Sequence, residues 1–294
     1  MTNNINISCL GSCYLKTKPR ELFFSLMSIF INEIRPKQTL LVLDGPIKKR
    51  LRKVIKYFVE NYKIEVLELK ENQGLGNALS EGLKKCNCDF VARFDTDDIN
   101  IPHRLEKQFK FLKNNPDISV VGSNIIEYRK IGNSYQNRLK RVPISHEKII
   151  LDFFYRNCIN HPTVLFKRSD VIKIGNYTNR MFFEDYDLWL RLVDKGYKFA
   201  NLTEPLVLMK RENASLRREG ISYLKKELIF INKIKIQIAK KTLFLFIFLF
   251  RIILRCIFPA EFQNFLPWRS KWKKMNQEYL IYIKSLEKKY KESF

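Results

Sequence analysis

The sequence is short of acid. Its 294 residues hold 30 Asp and Glu against 54 Lys and Arg, a formal net charge of +24. It also lacks any Pro/Gly/Ser-rich linker and any internal repeat, which argues against a string of modules or a solenoid. The cysteines are Cys9, Cys13, Cys86, Cys88, Cys158 and Cys256. None forms a C-x-x-C pair, so the usual spacing of a structural zinc site is missing, and free thiols in a reducing cytoplasm are expected. The opening MTNNINISCLGSCYL has no basic region followed by an apolar run, so no secretory signal is expected. No nucleic-acid-binding module is recognisable either, and nucleic acid is not expected as a partner despite the charge.

Enough chain remains to bury one large domain, or a domain with an appendage. The charge is uneven. Residues 210–294 carry 20 basic and 7 acidic side chains, and the other 209 residues carry 34 and 23. A surface of that kind attracts polyanions, anionic lipid or phosphorylated ligands.

Against this background, VARFDTDDINIPHRLEKQ (residues 91–108) is unexpected: Asp95, Asp97 and Asp98 fall within four residues, directly after an apolar run. Clustered carboxylates repel one another unless a cation or full solvation relieves them. The surrounding chain alternates strand-like and helix-like stretches from NINISCLGS through PRELFFSLMSIFINE, TLLVLDG, IKKRLRKVIKYFVENY, IEVLELKE, GNALSEGLKKC, DFVARFD and PHRLEKQFKFLKNN to ISVVGSNIIEY. That order predicts an α/β fold: a Rossmann-like, mostly parallel sheet with helices on both faces. Ligands in such sheets sit beyond the carboxyl ends of the strands. Asp44 and the three clustered aspartates fall on that rim, which marks it as a candidate site. As ordinary residues they would be turn formers, with Asp98 a cap for the helix beginning near Pro102.

Asp-x-Asp on a strand-end loop suits a hard divalent cation, Mn²⁺ or Mg²⁺, which takes carboxylate, water and phosphate oxygens. Bridging a diphosphate, such an ion neutralises charge and improves the leaving group. An aspartyl phosphoryl-transfer nucleophile would instead belong on the first strand, not the fourth. Farther on, FFEDYDLWLRLVDKGY predicts a helix with Glu184, Asp185 and Asp187 in its first turn, which the helix dipole alone would favour. His161 reads as structural, and His103 and His146 as surface residues.

Together ARFDTDDINIPHRLEKQ, ENQGLGNALSEGL, NHPTVLFKRS and FFEDYDLWLRL resemble glycosyltransferase family 2, inverting enzymes of the GT-A fold, over about residues 5–224. LVLDGP and LRREGISYLKKEL resemble its bacterial branch that builds capsular, exopolysaccharide or lipopolysaccharide chains. The resemblance implies a nucleotide-diphospho-sugar donor, a UDP-sugar favoured, and a saccharide or lipid-linked acceptor. It places Tyr14 and Asp44 at the nucleoside, and Asn72, Gly74 and Gly76 in the turn beside base and ribose. Asp95 would lie near ribose or metal, Asp97 would be the principal metal ligand, and Asp98 would assist metal or sugar. Asp185 would be the general base, with Glu184 the alternative. Arg217 and Arg218 match a basic loop that closes over the diphosphate. The sequence departs from the family in two places. It has GSCYLKTKP where many relatives have Pro-x-Tyr-Asn. It has KRENAS where many carry a metal-site histidine, leaving Glu212 or Asn213 as substitutes, or no third ligand at all.

The expected division is a catalytic domain over 1–224, in halves meeting near residue 128, and a basic helical tail over 225–294. The run TLFLFIFLFRIILRCIF (242–258) has 17 residues and contains Arg251 and Arg255. Each arginine costs roughly 2.5–3.5 kcal/mol at mid-bilayer, so spanning is disfavoured. With WRSKWKK following, it suits a helix lying in the membrane interface, with packing on the protein's own core the alternative. The expected location is cytoplasmic, peripheral on the inner face of the cell membrane.

Overall fold

A computed structural model describes residues 4–31, 34–153, 156–179, 183–211 and 270–294. The sheet is built first from β1 (Asn4–Cys13), β2 (Arg35–Leu43), β3 (Glu65–Glu68) and β4 (Phe90–Arg93), joined by α1 (Pro19–Phe30), α2 (Lys49–Tyr62) and α3 (Leu75–Lys85). These four strands are parallel, in the order β3-β2-β1-β4. Alternate residues feed opposite layers. Ile7, Cys9, Leu41 and Leu43 pack with α1 and α2, while Leu10, Leu40 and Val42 pack with α3. Burial on both faces explains why TLLVL reads as a continuous apolar run.

Beyond β4 the sheet becomes mixed. The short β5 (Ile99–Asn100) precedes α4 (Arg104–Asn114), and the long β6 (Ile118–Ile131) is followed by β7 (Ser134–Lys140) and α5 (His146–Phe153). A 3₁₀ turn (His161–Thr163), β8 (Leu165–Lys167), α6 (Arg168–Lys173), α7 (Glu184–Asp194) and β9 (Lys198–Lys210) complete this part. The strand seen in NHPTVLFKRS is β8, which lies antiparallel between β4 and β6 and separates them. β9 runs parallel to β6 and antiparallel to β5, which carries Lys210 back to the clustered aspartates. Residue 128, where the two halves were expected to meet, lies inside the continuous β6.

The last 25 described residues return to the domain. The pair Lys273–Lys274 forms β10, antiparallel to β7, and α8 spans Gln277–Ser293. Helix α8 lies on α1: Tyr290 meets the rings of Phe23 and Phe24, and Ile283 and Leu286 are fully buried. Arg20 pairs with Glu287, which also accepts from the Tyr135 hydroxyl. This cover explains α1, where every residue from Leu22 to Phe30 is buried. A helix apolar all round needs partners on both sides, and α1 has the sheet on one and α8 on the other. Trp272, read from the sequence as an interfacial anchor, lies against Arg129 and Arg138, whose guanidinium carbons are 4.2 and 4.4 Å from its ring centre. Among the described residues no helix is long and apolar enough to cross a membrane. The run 242–258 lies outside them. His146 is also corrected. It is half-buried, stacked on Phe199, and its Nδ1 accepts from the Phe199 N–H at 3.3 Å.

Candidate active site

The rim at the carboxyl ends of β2, β1 and β4 collects the expected residues. Asp44 follows β2 and Tyr14 follows β1, bonded strand to strand by the Asp44 N–H to the Cys13 carbonyl at 2.8 Å. Tyr14 is exposed. Asp44 is buried and braces the loop before α3: Oδ1 accepts from Gln73 N–H at 2.7 Å, and Oδ2 from Gly74 N–H and the Asn72 amide, both at 3.0 Å. Asn72 and Asp44 are thus one unit. Gly74 has φ +88°, a conformation only glycine adopts without strain. Gly76 belongs to α3 rather than to the turn. A Cβ built there would overlap the Thr178 carbonyl oxygen and press Glu184 Cβ at 3.2 Å. Gly76→Ala is therefore expected to cost about 1–3 kcal/mol in urea unfolding and to lower turnover by displacing the start of α7.

The clustered aspartates are held from several sides. The Asp95 carbonyl accepts from Ser25 of α1 at 2.6 Å. Ser28, also on α1, accepts from the backbone and side chain of Asn100 at 2.9 and 3.1 Å. The buried Arg104 donates to Gln108, Asn100 and the carbonyls of Arg93 and Val164, tying β4 and β8 to α4. Asp98 does not cap α4, which starts at Arg104 behind His103. Its Oδ1 instead accepts from the Lys210 N–H at 3.0 Å.

One oxygen from each of Asp95, Asp97 and Asp98 falls within 4.8 Å of the others. Asp98 is buried, and its Oδ2 has no hydrogen-bond partner among the described residues. Burial, then Asp97 and Asp95, raise its carboxyl well above the usual range. Asp97 is the most exposed of the three, yet partial desolvation of its carboxylate at the rim, then the charges of Asp95 and Glu21, push it to about 6. These acceptor-only oxygens, one of them orphaned and all mutually repelling, fit a hard divalent cation.

Arg93 is the internal cation that the cluster requires, and no sequence motif singled it out. It is 2% exposed and pairs with Asp95. Burial works against its charge, but Asp95, then Tyr177 and Asp98, outweigh it and hold the guanidinium above its ordinary range. On the same side, His161 is buried against Tyr177, with Nε2 and the hydroxyl 3.0 Å apart. Burial first, and Arg93 second, drive His161 well below its usual range.

The three acids of α7 separate into two kinds. Asp187 is 3% exposed, accepts from Thr178 at 2.8 Å and pairs with Arg191 at 2.8 Å, so it ties the helix to the loop before it. Glu184 and Asp185 lie at the rim. Asp185 Oδ2 accepts from the Asn157 amide at 2.8 Å and Oδ1 from Tyr186 N–H at 2.7 Å. Burial, then Asp185, raise Glu184 to about 7. Arg93 pulls it down and Asp95 pushes it up. These couplings link the α7 pair to the aspartate cluster through Arg93. Arg217, Arg218, Glu212 and Asn213 lie outside the described residues.

Comparison with known proteins shows the family and the fold. The model for glycosyl transferase family 2 matches residues 20–185. The amylovoran biosynthesis glycosyltransferase AmsE of Erwinia amylovora is 36% identical, over 88% of this chain and 97% of that protein. The Escherichia coli UDP-Gal:alpha-D-GlcNAc-diphosphoundecaprenol beta-1,3-galactosyltransferase is 34% identical, over 74% of this chain and 78% of its own. Among solved structures, Staphylococcus aureus TarS 1–349 in complex with UDP-GlcNAc superposes with a TM-score of 0.60 at 14% identity, covering 88% of this chain and 78% of that 1–349 fragment. That likeness shows the fold.

Proposed function

The chain belongs to glycosyl transferase family 2, and from that premise we propose that it carries a sugar from a UDP-sugar to a hydroxyl of a growing surface polysaccharide or lipid-linked glycan, inverting the anomeric carbon. The observation that carries this is one rim with two acidic groups of different kind: the oxygen cluster of Asp95, Asp97 and Asp98, and the α7 pair joined to it through Arg93. The names of the relatives, one of exopolysaccharide biosynthesis and one using UDP-Gal and a diphosphoundecaprenol acceptor, support the substrate class.

Asp97 and Asp98, with Asp95, would hold Mn²⁺ or Mg²⁺, which when bound offsets charge on the diphosphate. Asp44 and Asn72 shape the loop on which the nucleoside rests, and Tyr14 flanks it. Asp185 takes the proton of the acceptor hydroxyl at a carboxylate oxygen. That hydroxyl oxygen attacks the anomeric carbon from the face opposite the diphosphate, whose bond to the sugar breaks with both electrons. Asp185 suits this role because two N–H donors favour its ionised form, whereas burial and its neighbour work against the charge of Glu184. A lipid-linked acceptor would put the protein at the inner face of the membrane, where anionic lipid attracts its excess positive charge.

A thermal-shift and hydrolysis panel of UDP-, GDP-, dTDP- and CMP-sugars, with and without Mn²⁺, tests this. Saturating UDP-sugar is expected to raise Tm by about 5 °C or more, and only with metal. No response to any nucleotide would sink the proposal. Stabilisation by single-stranded DNA instead would favour polyanion binding.

A further inference from the structure

Asn157 sits in the turn between α5 and the 3₁₀ helix, and its Nδ2 donates to Asp185 Oδ2 at 2.8 Å. The amide has a fixed orientation. Its Oδ1 accepts from the Ile159 N–H at 3.2 Å, which turns the NH₂ end to the carboxylate. The turn is fastened as well. The Tyr186 hydroxyl donates to the Phe153 carbonyl, and the Phe153 ring packs against both Tyr186 and Phe199. Arg156 donates from its backbone N–H to the Asp152 carbonyl at 2.9 Å and pairs with the Asp152 carboxylate at 2.6 Å. The end of α5 and the first turn of α7 therefore form one bracket, and Asn157 is where it grips the carboxylate.

We propose that Asn157 is the positioning residue of the acceptor base: it sets the plane of the Asp185 carboxylate and favours its ionised form by donating to it. This rests on Asp185 being the base. A neutral amide suits the place for a physical reason. A lysine or arginine there would hold the carboxylate in an ion pair and make it a poor proton acceptor, and an acid would repel it. Among the described residues, the charged and titratable groups that face Asp185 include Glu184 on its own helix and Tyr177 from the loop before it, while Arg93 and Asp95, from the β4 side, act on Glu184. Without the amide, the repulsion from Glu184 loses a counterweight.

The test is a ¹³C-carboxyl NMR titration of the full chain labelled at aspartate. The Asp185 signal is assigned as the one missing from Asp185→Asn. Asn157→Ala is expected to raise its midpoint by about one pH unit, a tenfold gain in proton affinity. Asn157→Asp, nearly isosteric, is expected to raise it further, so either variant that folds decides. In turnover of the UDP-sugar, kcat is expected to fall about tenfold to a hundredfold. Its acid limb should move up with the midpoint, while UDP affinity in Mn²⁺ stays unchanged. A midpoint and limb that stay in place in a folded Asn157 variant would overturn the positioning role even though Asp185→Asn is inactive. An active Asp185→Asn would overturn the base assignment itself, and the positioning role with it.

Discussion

Asp97→Ala is expected to reduce donor turnover about a thousandfold or more and to abolish the Mn²⁺-dependent stabilisation by UDP, with Tm of the ligand-free protein unchanged or higher. Asp97 is the member of the cluster open to solvent, and among the described residues it has no structural bond comparable to Asp98 on the Lys210 N–H. Desolvation, then the charges of Asp95 and Glu21, already raise its carboxyl to about 6, so in the free protein its charge is a burden to the fold. Removing it relieves repulsion and removes the ligand in reach of incoming phosphate. Loss of several kcal/mol of transition-state stabilisation gives the thousandfold figure. Calorimetric titration of UDP with Mn²⁺ into both proteins checks it. An unchanged Kd with turnover within tenfold of wild type would show that the cluster is not the donor site. Asp98→Ala is the less clean variant, because it also frees the end of β9.

Asp185→Asn is expected to lower kcat by about 10²–10⁴-fold with donor affinity intact, the loss of a general base without loss of binding. Glu184→Gln separates the two acids. With Asp185 as the base, removing the neighbouring charge lets Asp185 lose its proton more readily. Activity then stays within about tenfold, and the acid limb moves to lower pH. If Glu184→Gln is the inactive variant instead, the roles exchange. The same variant has a stability signature. The folded protein holds the Glu184 proton up to about 7, whereas an ordinary glutamate releases it near 4.5. Between these values the folded state binds more protons than the unfolded one, so stability falls as pH rises through this window. Glu184→Gln escapes that loss. It is expected to be more stable than wild type at pH 8, by up to about 3 kcal/mol, with the advantage shrinking toward pH 4.5 in urea titrations.

Much of this was legible in the chain because short-range rules produce it. Strand and helix alternation up to ISVVGSNIIEY follows from apolar runs and periodicity, and the rim position of Asp44 and Asp95–Asp98 follows from their place after strands. Other features had a local signal without a unique meaning. Ser25 and Ser28 are two hydroxyls inside an apolar helix, a sign of buried polar work, but their partners at Asp95 and Asn100 lie about 70 residues away. Asp187 looks like its neighbours Glu184 and Asp185 until Arg191 and Thr178 are seen to claim it. Arg93 reads as one more cation in a basic chain until its burial is known.

The sequence by itself determined the family, the α/β class, and the residues at the strand ends, since these depend on motifs and on the local order of hydrophobic and polar groups. Only the tertiary structure decided how those residues are used. It inserted β8 antiparallel between β4 and β6, and it returned Lys210 to Asp98 through β9. It folded α8 over α1, within a stretch expected only to be a basic helical tail. It also placed Arg93 beside Asp95 and Asn157 on Asp185. Each of these joins positions remote in sequence. Long-range partners are chosen by which surfaces can be buried together and which polar groups can be satisfied at once, and neither is encoded in any short stretch of the chain.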